Sequence, residues 1–215
     1  MNRIAMFVLL IALPLVTGCA SSILPTSYLV HANVPYSDVQ PEGGVTVFWT
    51  DRTVSMSPYK NIVVEQFAAD KAVGVQPHID RKRYSERLRH LVTYGLKEKS
   101  KNAATDTKAM AGKGPYLVLQ GNIAQLNPGR PKLRRWIGFG AGRAIVDLEV
   151  KVFRVALGRR VLCGEITTSA TASSAPLVAS DDVTLLDACI KRVAENISQF
   201  IATHRNRKPK PPFRQ

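Results

Sequence analysis

The sequence lacks the short motifs that mark common hydrolase, metal and nucleotide sites. It has no His-Glu-x-x-His pair, no Gly-x-Ser-x-Gly turn, and no Gly-Lys-Ser/Thr after its glycine-rich segment. Acidic residues are also scarce, with 16 Asp and Glu against 30 Lys and Arg, so the formal net charge is +14. These absences leave no catalytic or metal-ligating residues to name, and no cofactor is expected. The basic excess favours contact with anionic surfaces without specifying one.

The longest apolar run stands at the N-terminus and is too short to cross a membrane. Ile4–Val16 falls below the roughly 20 apolar residues that a span needs, and a basic residue precedes it, which is the layout of a secretion signal. The run ends in Leu15–Cys19, which resembles a bacterial lipobox, where a diacylglyceryl group is attached to the cysteine sulfur and the chain is cut before it. We therefore predict a signal peptide over residues 1–18 and a lipid on Cys19. The alternative, a buried N-terminal helix with a core cysteine, is disfavoured by Pro14.

The residue after Cys19 is Ala20, rather than the aspartate that tends to retain lipoproteins in the inner membrane. By that resemblance we expect an outer-membrane protein, anchored by lipid and facing the periplasm. Two or more acyl chains hold a protein to a membrane stably, whereas one does so only marginally. In this compartment the nearest anions are phospholipid head groups, lipopolysaccharide phosphates and wall polymers. The basic charge therefore does not indicate a nucleic-acid partner.

The chain after residue 18 divides into a tether, one domain and a tail. Prolines and a glycine pair make residues 19–58 irregular, although Val45–Trp49 has the composition of a short strand. We expect the folded domain at residues 59–203. The basic, proline-rich residues 204–215 are predicted to be disordered.

Within the domain, hydrophobic periodicity predicts a strand, a helix, three strands and a final helix. Both helices carry one apolar stripe, and Val146–Val152 alternates between apolar and charged residues, which indicates a sheet with one buried face. The most economical arrangement is α+β: a two-layer, mostly antiparallel sheet of about four strands with two helices on one face, in the order β-α-β-β-β-α. The predicted elements are Asn61–Phe67, a helix capped by Asp80 and ending near Lys99, Pro115–Ile123, Val146–Val152, Val161–Ala172, and a helix capped by Asp182 or Thr184.

The first predicted helix begins with an unusual concentration of basic residues. Basic side chains at a helix start oppose the macrodipole. A solvated face is the favoured interpretation, and a binding face is the alternative. The residues are Arg81, Lys82, Arg83, Arg87 and Arg89.

The connection between the second and third predicted strands, residues 130–143, combines basic, aromatic and glycine residues. Its glycines lead into a strand rather than a helix, which argues against a phosphate-binding loop. Basic residues interleaved with aromatic ones suit a protein partner or anionic head groups, so we predict a contact surface here. The alternative is that Trp136 and Phe139 fill the core at the sheet edge. The predicted contact residues are Arg130, Lys132, Arg134, Arg135, Trp136 and Phe139.

Lipidation of Cys19 would leave two cysteines, Cys163 and Cys189, in an oxidising compartment. Cys189 falls on the inner stripe of the last helix. Alternation places Leu162 and Ile166 on the inner face of the last strand and Cys163 on its outer face, out of disulfide reach unless the strand contains a bulge. A Cys163–Cys189 disulfide is one alternative, and two separately buried thiols are the preferred one.

Residues 58–203 resemble the bacterial lipoproteins of domain-of-unknown-function family 4410. The resemblance rests on the lipobox, on the strand Asn61–Phe67, and on the segment Trp136–Ala144, which runs into an alternating strand and a glycine turn. It implies a periplasmic lipoprotein and brings no catalytic residues.

Two functional hypotheses fit these features. The first, which we favour, is a non-catalytic binding or assembly factor, anchored to the membrane by lipid, that contacts an envelope protein or an anionic envelope polymer. The second is an envelope enzyme acting on cell-wall glycan or lipid, which would need an acid–base pair in a pocket. The sequence does not point to such a pair.

Overall fold

A computed structural model describes residues 45–50, 56, 58–100, 103–104, 114–136, 142–173 and 181–205. The side chains of residues 45–50, 100, 103–104, 134–136 and 205 are not described. All of the described residues belong to one unit of the chain, Tyr36–Gln215. The predicted signal peptide, the predicted lipidation site Cys19 and residues 206–215 lie outside the described residues.

Six strands and three helices make up the described part of the chain. In chain order they are β1 Val45–Thr50, β2 Asn61–Val64, α1 Arg81–Ser100, β3 Ala103–Ala104, β4 Tyr116–Asn127, α2 Pro131–Trp136, β5 Ala144–Ala156, β6 Arg159–Ala172 and α3 Asp182–Arg205. The strands form one mixed sheet in the order β1-β6-β5-β4-β2-β3. β1, β6, β5 and β4 are antiparallel to one another, whereas β2 is parallel to both β4 and β3. The predicted α+β class is confirmed, with β1, β3 and α2 as short additions to the predicted order.

α1 is the crossover that joins the parallel strands β2 and β4. Parallel neighbours need such a connection because a tight turn would reverse the chain direction. β5 and β6 are instead joined by Leu157 and Gly158, whose φ angles of 51° and 73° suit a two-residue hairpin turn. Since β2 and β4 are parallel, the segments that follow them begin at the same edge of the sheet.

α1 and α3 pack on the same face of the sheet and run parallel to each other. Toward their starts, Arg87 Nη2 lies 3.1 Å from Asp187 Oδ2. Toward their ends, Lys99 Nζ donates to Gln199 Oε1 at 2.8 Å. Their apolar stripes form one core with the inner face of the sheet. The residues of β5 that were expected to face this core, Val146, Leu148, Val150 and Val152, are all at most 1% exposed.

Both long helices begin at an aspartate cap, which satisfies N–H groups that have no partner inside the helix. Asp80 Oδ1 accepts from the backbone N–H groups of the second and third residues after it, at 2.9 and 3.2 Å, as predicted. At α3 the cap is Asp181 rather than Asp182 or Thr184. Asp181 Oδ1 accepts from the Thr184 backbone N–H at 2.6 Å. Hydrogen bonds from the side chain and backbone of Thr184 lower the pKa of Asp181.

The folded domain extends further than predicted at both ends. β1 lies inside the predicted tether and pairs with β6, with Val45 opposite Thr168 and Thr50 opposite Gly164. At the other end, α3 continues through Arg205, and His204 is only 6% exposed. The predicted domain start at residue 59 is therefore too late, and the predicted tail start at residue 204 is too early.

A bulge in β6 reverses the predicted orientations of Leu162 and Cys163. Val152 pairs with Gly164, but the next residue, Phe153, pairs with Leu162, so Cys163 is an extra residue in the ladder. Cys163 is fully buried in the same core as Ile166, whose inner position is confirmed. Leu162 is half-buried opposite Phe153, on the other face. The predicted inner position of Leu162 and outer position of Cys163 are both wrong.

Cys163 and Cys189 are two separately buried thiols, and the alternative of a disulfide between them is not formed. The Cys163 thiol donates to the Val152 carbonyl at 3.4 Å. The Cys189 thiol donates to the Ala144 carbonyl at 3.8 Å. Burial raises the pKa of Cys189 to about 11.

The face of the sheet opposite the helices carries a smaller apolar cluster with a guanidinium group over it. The guanidinium carbon of Arg160 lies 4.1 Å from the ring centroid of Phe153. The same group donates to both carboxylate oxygens of Glu65, at 3.0 and 3.2 Å. Arg160 therefore combines a cation–π contact with a bidentate ion pair. The cluster consists of Val63, Val118, Tyr116, Phe153 and Val155.

Candidate contact surface

The predicted contact residues belong to the connection between β4 and β5. Two of them, Arg130 and Lys132, have described side chains, and both are exposed. The others are Arg134, Arg135 and Trp136, which lie in α2 but whose side chains are not described, and Phe139, which lies outside the described residues. For all six residues a contact role stays a prediction.

A short helix, α2, replaces the loop that the glycine content of this connection predicts. Pro131 explains why a helix begins here. Proline is favoured at the first helical position because its ring fixes φ at a helical value and an N–H there would lack an intrahelical partner. Lys132 is therefore part of a helix rather than of an irregular loop. Pro131 is the sequence signal for the start of this helix.

A close backbone contact between Gly129 and Gly142 closes the base of this connection. The Arg130 N–H donates to the Gly142 carbonyl at 3.0 Å. Gly129 has a φ of 83°, and a Cβ atom built on it would lie 2.1 Å from the Gly142 carbonyl oxygen. Asn127 Oδ1 also accepts from the Gly129 N–H, at 2.8 Å. Glycine at residue 129 therefore provides both the left-handed conformation and the space for the chain to return.

The same base contacts the segment that leads into α1. Gln76 Nε2 donates to the Gly129 carbonyl at 2.9 Å. Earlier in the segment, Val73 forms a parallel bridge to Gln125 of β4. The chain after β2 thus follows β4 to its C-terminal end before α1 turns back.

Two basic clusters that are remote in sequence therefore lie at one end of the domain. One is the start of α1, and the other is the β4–β5 connection. The parallel pairing of β2 with β4 brings them together, which explains why sequence patterns identify each cluster but not their juxtaposition. We call this surface the basic end. Its exposed, described bases are Arg81, Lys82, Arg83, Arg130, Lys132 and Arg143.

Arg87 and Arg89, which the sequence groups with the start of α1, have different surroundings. Arg87 pairs with Asp187 across the α1–α3 contact, and Arg89 is half-buried. Near them, Tyr84 is 2% exposed, and its pKa is raised by burial and then by the charge of Asp187. Arg87 therefore belongs to the helix–helix contact rather than to the basic end.

An open cleft of about 860 Å³ adjoins the basic end, between the residues after β2 and the first turn of α1. Two aspartates line it, Asp70 and Asp80, and Asp80 accepts the capping hydrogen bonds of α1. The Ser85 hydroxyl in its wall donates to the Phe67 carbonyl. Arg81 and Lys82 add positive charge to the cleft. Its other lining residues include Gln66, Val75, Gln76 and Ile79.

Metal ligation has no candidate within the ranges that the structure describes, where no three His, Cys, Asp or Glu side chains come together. His78 Nε2 lies 3.7 Å from Asp182 Oδ2, but these two side chains alone do not make a group of three possible ligands. Among the helices of the same described ranges, none combines the length and the hydropathy that crossing a bilayer requires.

The family model described as domain of unknown function (DUF4410) matches residues 62–187. The match begins in β2 and ends in α3, so it includes the basic end and more than half of the chain. The protein belongs to this family. The predicted resemblance is thereby confirmed.

Several solved structures are similar to this DUF4410 protein at low sequence identity. A PelC dodecamer from Paraburkholderia phytofirmans is 10% identical, with 70% of this chain and 97% of that chain covered and a TM-score of 0.45. A minor lipoprotein from Acinetobacter baumannii is 14% identical, with 69% and 96% covered and a TM-score of 0.39. A DUF4136 family protein from Bacteroides thetaiotaomicron is 8% identical, with 75% and 96% covered and a TM-score of 0.40. A comparison with curated proteins gave no match. TM-scores this low carry no conclusion about function.

The basic end offers hydrogen-bond donors and positive charge. Guanidinium groups bind planar or tetrahedral oxyanions through paired N–H donors, and ammonium groups bind them as point charges.

Proposed function

We propose that this protein is a lipid-anchored, non-catalytic envelope protein that uses the basic end to bind an envelope protein or an anionic envelope polymer, as an assembly or accessory factor. In this proposal Cys19 carries the lipid, and the domain faces the periplasm from the outer membrane. The observation that carries the proposal is that α2 and the residue before it present exposed basic side chains from a backbone held by hydrogen bonds. Arg130 and Lys132 are exposed, while the backbone beneath them is held by the Gly129–Gly142 contact and by Gln76. Exposed polar residues on a rigid base are typical of binding loops.

Anchoring is tested by Cys19→Ala in the full chain. Wild-type protein should incorporate labelled palmitate and fractionate with outer membranes, and the variant should do neither. A Cys19→Ala protein that is processed and fractionates like wild type would contradict the anchoring part of the proposal.

Binding is tested with a photo-crosslinking amino acid at Lys132 in intact cells. The matched control position is Lys97, which is exposed near the far end of α1. A discrete crosslinked product at position 132 and none at position 97 would support a contact surface at the basic end. Equal crosslinking at both positions, or none at either, would contradict it.

Trp136→Ala separates a contact role for this aromatic residue from a core role. A buried tryptophan replaced by alanine should cost about 3–5 kcal/mol of stability. On a contact surface the substitution should instead leave the melting temperature almost unchanged and abolish crosslinking at Lys132. A large loss of stability with crosslinking retained in the folded fraction would make Trp136 structural.

A further inference from the structure

The bases of the basic end form no ion pair with a carboxylate among the described residues. Arg81 donates to the backbone carbonyl of Asp70 at 3.4 Å, an acceptor without net charge. The ion pairs between described side chains involve none of the other five bases: Lys82, Arg83, Arg130, Lys132 and Arg143.

The acidic residues at this end make their described contacts with groups other than these bases. Asp80 and Asp181 accept backbone N–H groups as helix caps and keep their negative charge. Asp182 faces His78, and Asp187 pairs with Arg87. With Asp70 and Glu86 the acidic residues number six, against nine basic residues when Arg87, Arg134 and Arg135 are counted with the six exposed bases.

α1 and α3 are parallel and both begin at this end, and the N-terminus of a helix carries a partial positive charge. The full negative charge of each capping aspartate offsets it, so the positive potential comes from the basic side chains. The basic end is therefore a broad electropositive surface with its bases drawn from two elements.

We infer that the basic end binds the phosphate head groups of anionic phospholipids in the membrane that holds the anchor. The inference rests on the anchoring part of the proposed function, which holds the domain at a membrane, and it adds a lipid ligand to the same surface. Six exposed bases on two elements fit a surface of many phosphates better than a single small anion, and Arg and Lys near an anionic membrane each contribute binding energy. The domain is then held against the bilayer by its lipid and by this surface together.

The test uses residues 20–215, which contain every described element but neither the predicted signal peptide nor Cys19, so that a lipid cannot cause the binding. Partition is measured by flotation with phosphatidylcholine vesicles, with and without phosphatidylglycerol. We expect binding only to the phosphatidylglycerol vesicles and a steep decrease with added salt. Soluble glycerol phosphate serves as the competitor that distinguishes a free phosphate ligand from a lipid surface, and it should compete only weakly.

A matched pair of double variants tests the location. Lys82→Gln with Arg130→Gln removes one charge from each basic cluster, and partition should fall about fivefold for each charge removed. Lys97→Gln with Arg159→Gln removes two exposed charges from the opposite end of the domain and should change partition little. Circular dichroism of both variants checks that each is folded.

Three results would overturn the inference. They are absence of wild-type binding to phosphatidylglycerol vesicles, equal losses in the two double variants, and full competition by glycerol phosphate. Each of these can occur while crosslinking at Lys132 still identifies an envelope partner, so the failure of this inference is distinguishable from the failure of the proposed function. If no crosslink forms at Lys132 but the protein still binds vesicles, the proposed envelope partner is refuted and the proposed binding to phospholipid is retained.

Discussion

The Gly129 Cα faces the carbonyl oxygen of Gly142 so closely that a methyl group on residue 129 would lie 2.1 Å from that oxygen. The next nearest atom, the carbonyl oxygen of Arg143, would lie at 2.5 Å. Both obstacles are backbone atoms, which cannot rotate away. The path of the β4–β5 connection, which includes α2, therefore depends on a residue that carries no side chain.

Gly129→Ala should destabilise the domain more than a glycine replacement with the same backbone conformation but free space. Gly158, in the β5–β6 turn, is the matched control, because it has a φ of 73° and an added methyl group there would meet no atom within 4 Å. Gly158→Ala should cost about 1–2 kcal/mol for the left-handed conformation alone. Gly129→Ala should cost more, since the β4–β5 connection must also move, and it should weaken crosslinking at Lys132. Urea unfolding of both variants measures this, and equal costs would show that the connection adapts freely.

Periodicity predicted the regular elements because the physics that forms them is local. The alternation over Val146–Val152 requires a strand with one buried face, and the structure has it. Asp80 precedes a helix with an apolar stripe, and its carboxylate accepts the first free N–H groups. Such signals lie within a few residues of one another, so one sequence is enough to identify them.

The orientation of Cys163 could not be predicted in the same way. Side chains in β6 alternate between the two faces of the sheet on both sides of the bulge. The extra residue at the bulge reverses which residues face the core from that point on. The bulge is defined by the partner strand, where Val152 and Phe153 oppose Gly164 and Leu162. Nothing near Cys163 in the sequence indicates it.

Local sequence patterns likewise could not predict that the two clusters of the basic end lie together. Arg81 and Arg130 are brought to one end of the domain by the pairing of β2 with β4 and by the bond from Gln76 to Gly129. Each cluster taken alone fits a solvated face. Their common location is a property of the topology.

Arg160→Lys should destabilise the outer face of the sheet, because lysine cannot reproduce the planar contacts of the guanidinium. Arg160 donates to both oxygens of Glu65, to Gln120 Oε1 at 3.2 Å, and lies over Phe153. An ammonium group keeps the charge but loses the bidentate geometry. We expect a loss of about 1 kcal/mol in urea unfolding, within the range of cation–π and partly exposed ion-pair contributions. Arg159→Lys, at the adjacent exposed residue, should leave the free energy of unfolding unchanged. If Arg160→Lys also leaves it unchanged, the positive charge alone is sufficient at residue 160.

Cys189 should make stability depend on alkaline pH. Its pKa rises from an ordinary value of 9.0 to about 11 because burial disfavours the thiolate. Above pH 9 the unfolded chain releases this proton while the folded chain keeps it, so the unfolded state binds fewer protons and stability falls as pH rises toward 11. The contribution is fully present below pH 9.

Cys189→Ala isolates that contribution from the Lys and Tyr residues that titrate in the same range. The variant is expected to be less stable than wild type at neutral pH, because it leaves a small cavity, and the difference should narrow as pH rises through the window. Iodoacetamide should leave Cys163 and Cys189 unmodified in the folded protein and label both in denaturant. A constant difference between wild type and variant, or rapid labelling of the folded protein, would contradict the buried thiol.

Two truncations test the corrected end of the domain. A chain ending at Arg205 keeps every described contact of α3, so its melting temperature should equal that of wild type. A chain ending at Thr203 also loses His204, which is 6% exposed, stacked on Phe200 with centroids 3.7 Å apart, and has Nδ1 3.0 Å from the Phe200 carbonyl oxygen. Stacked rings contribute about 0.5–1.5 kcal/mol beyond the area they bury, so this chain should melt measurably lower. His204→Gln in the full-length chain should reproduce most of the loss, because it removes the ring and keeps the helix. Equal melting temperatures for the two truncations would show that His204 does not stabilise the domain and that the domain ends at residue 203.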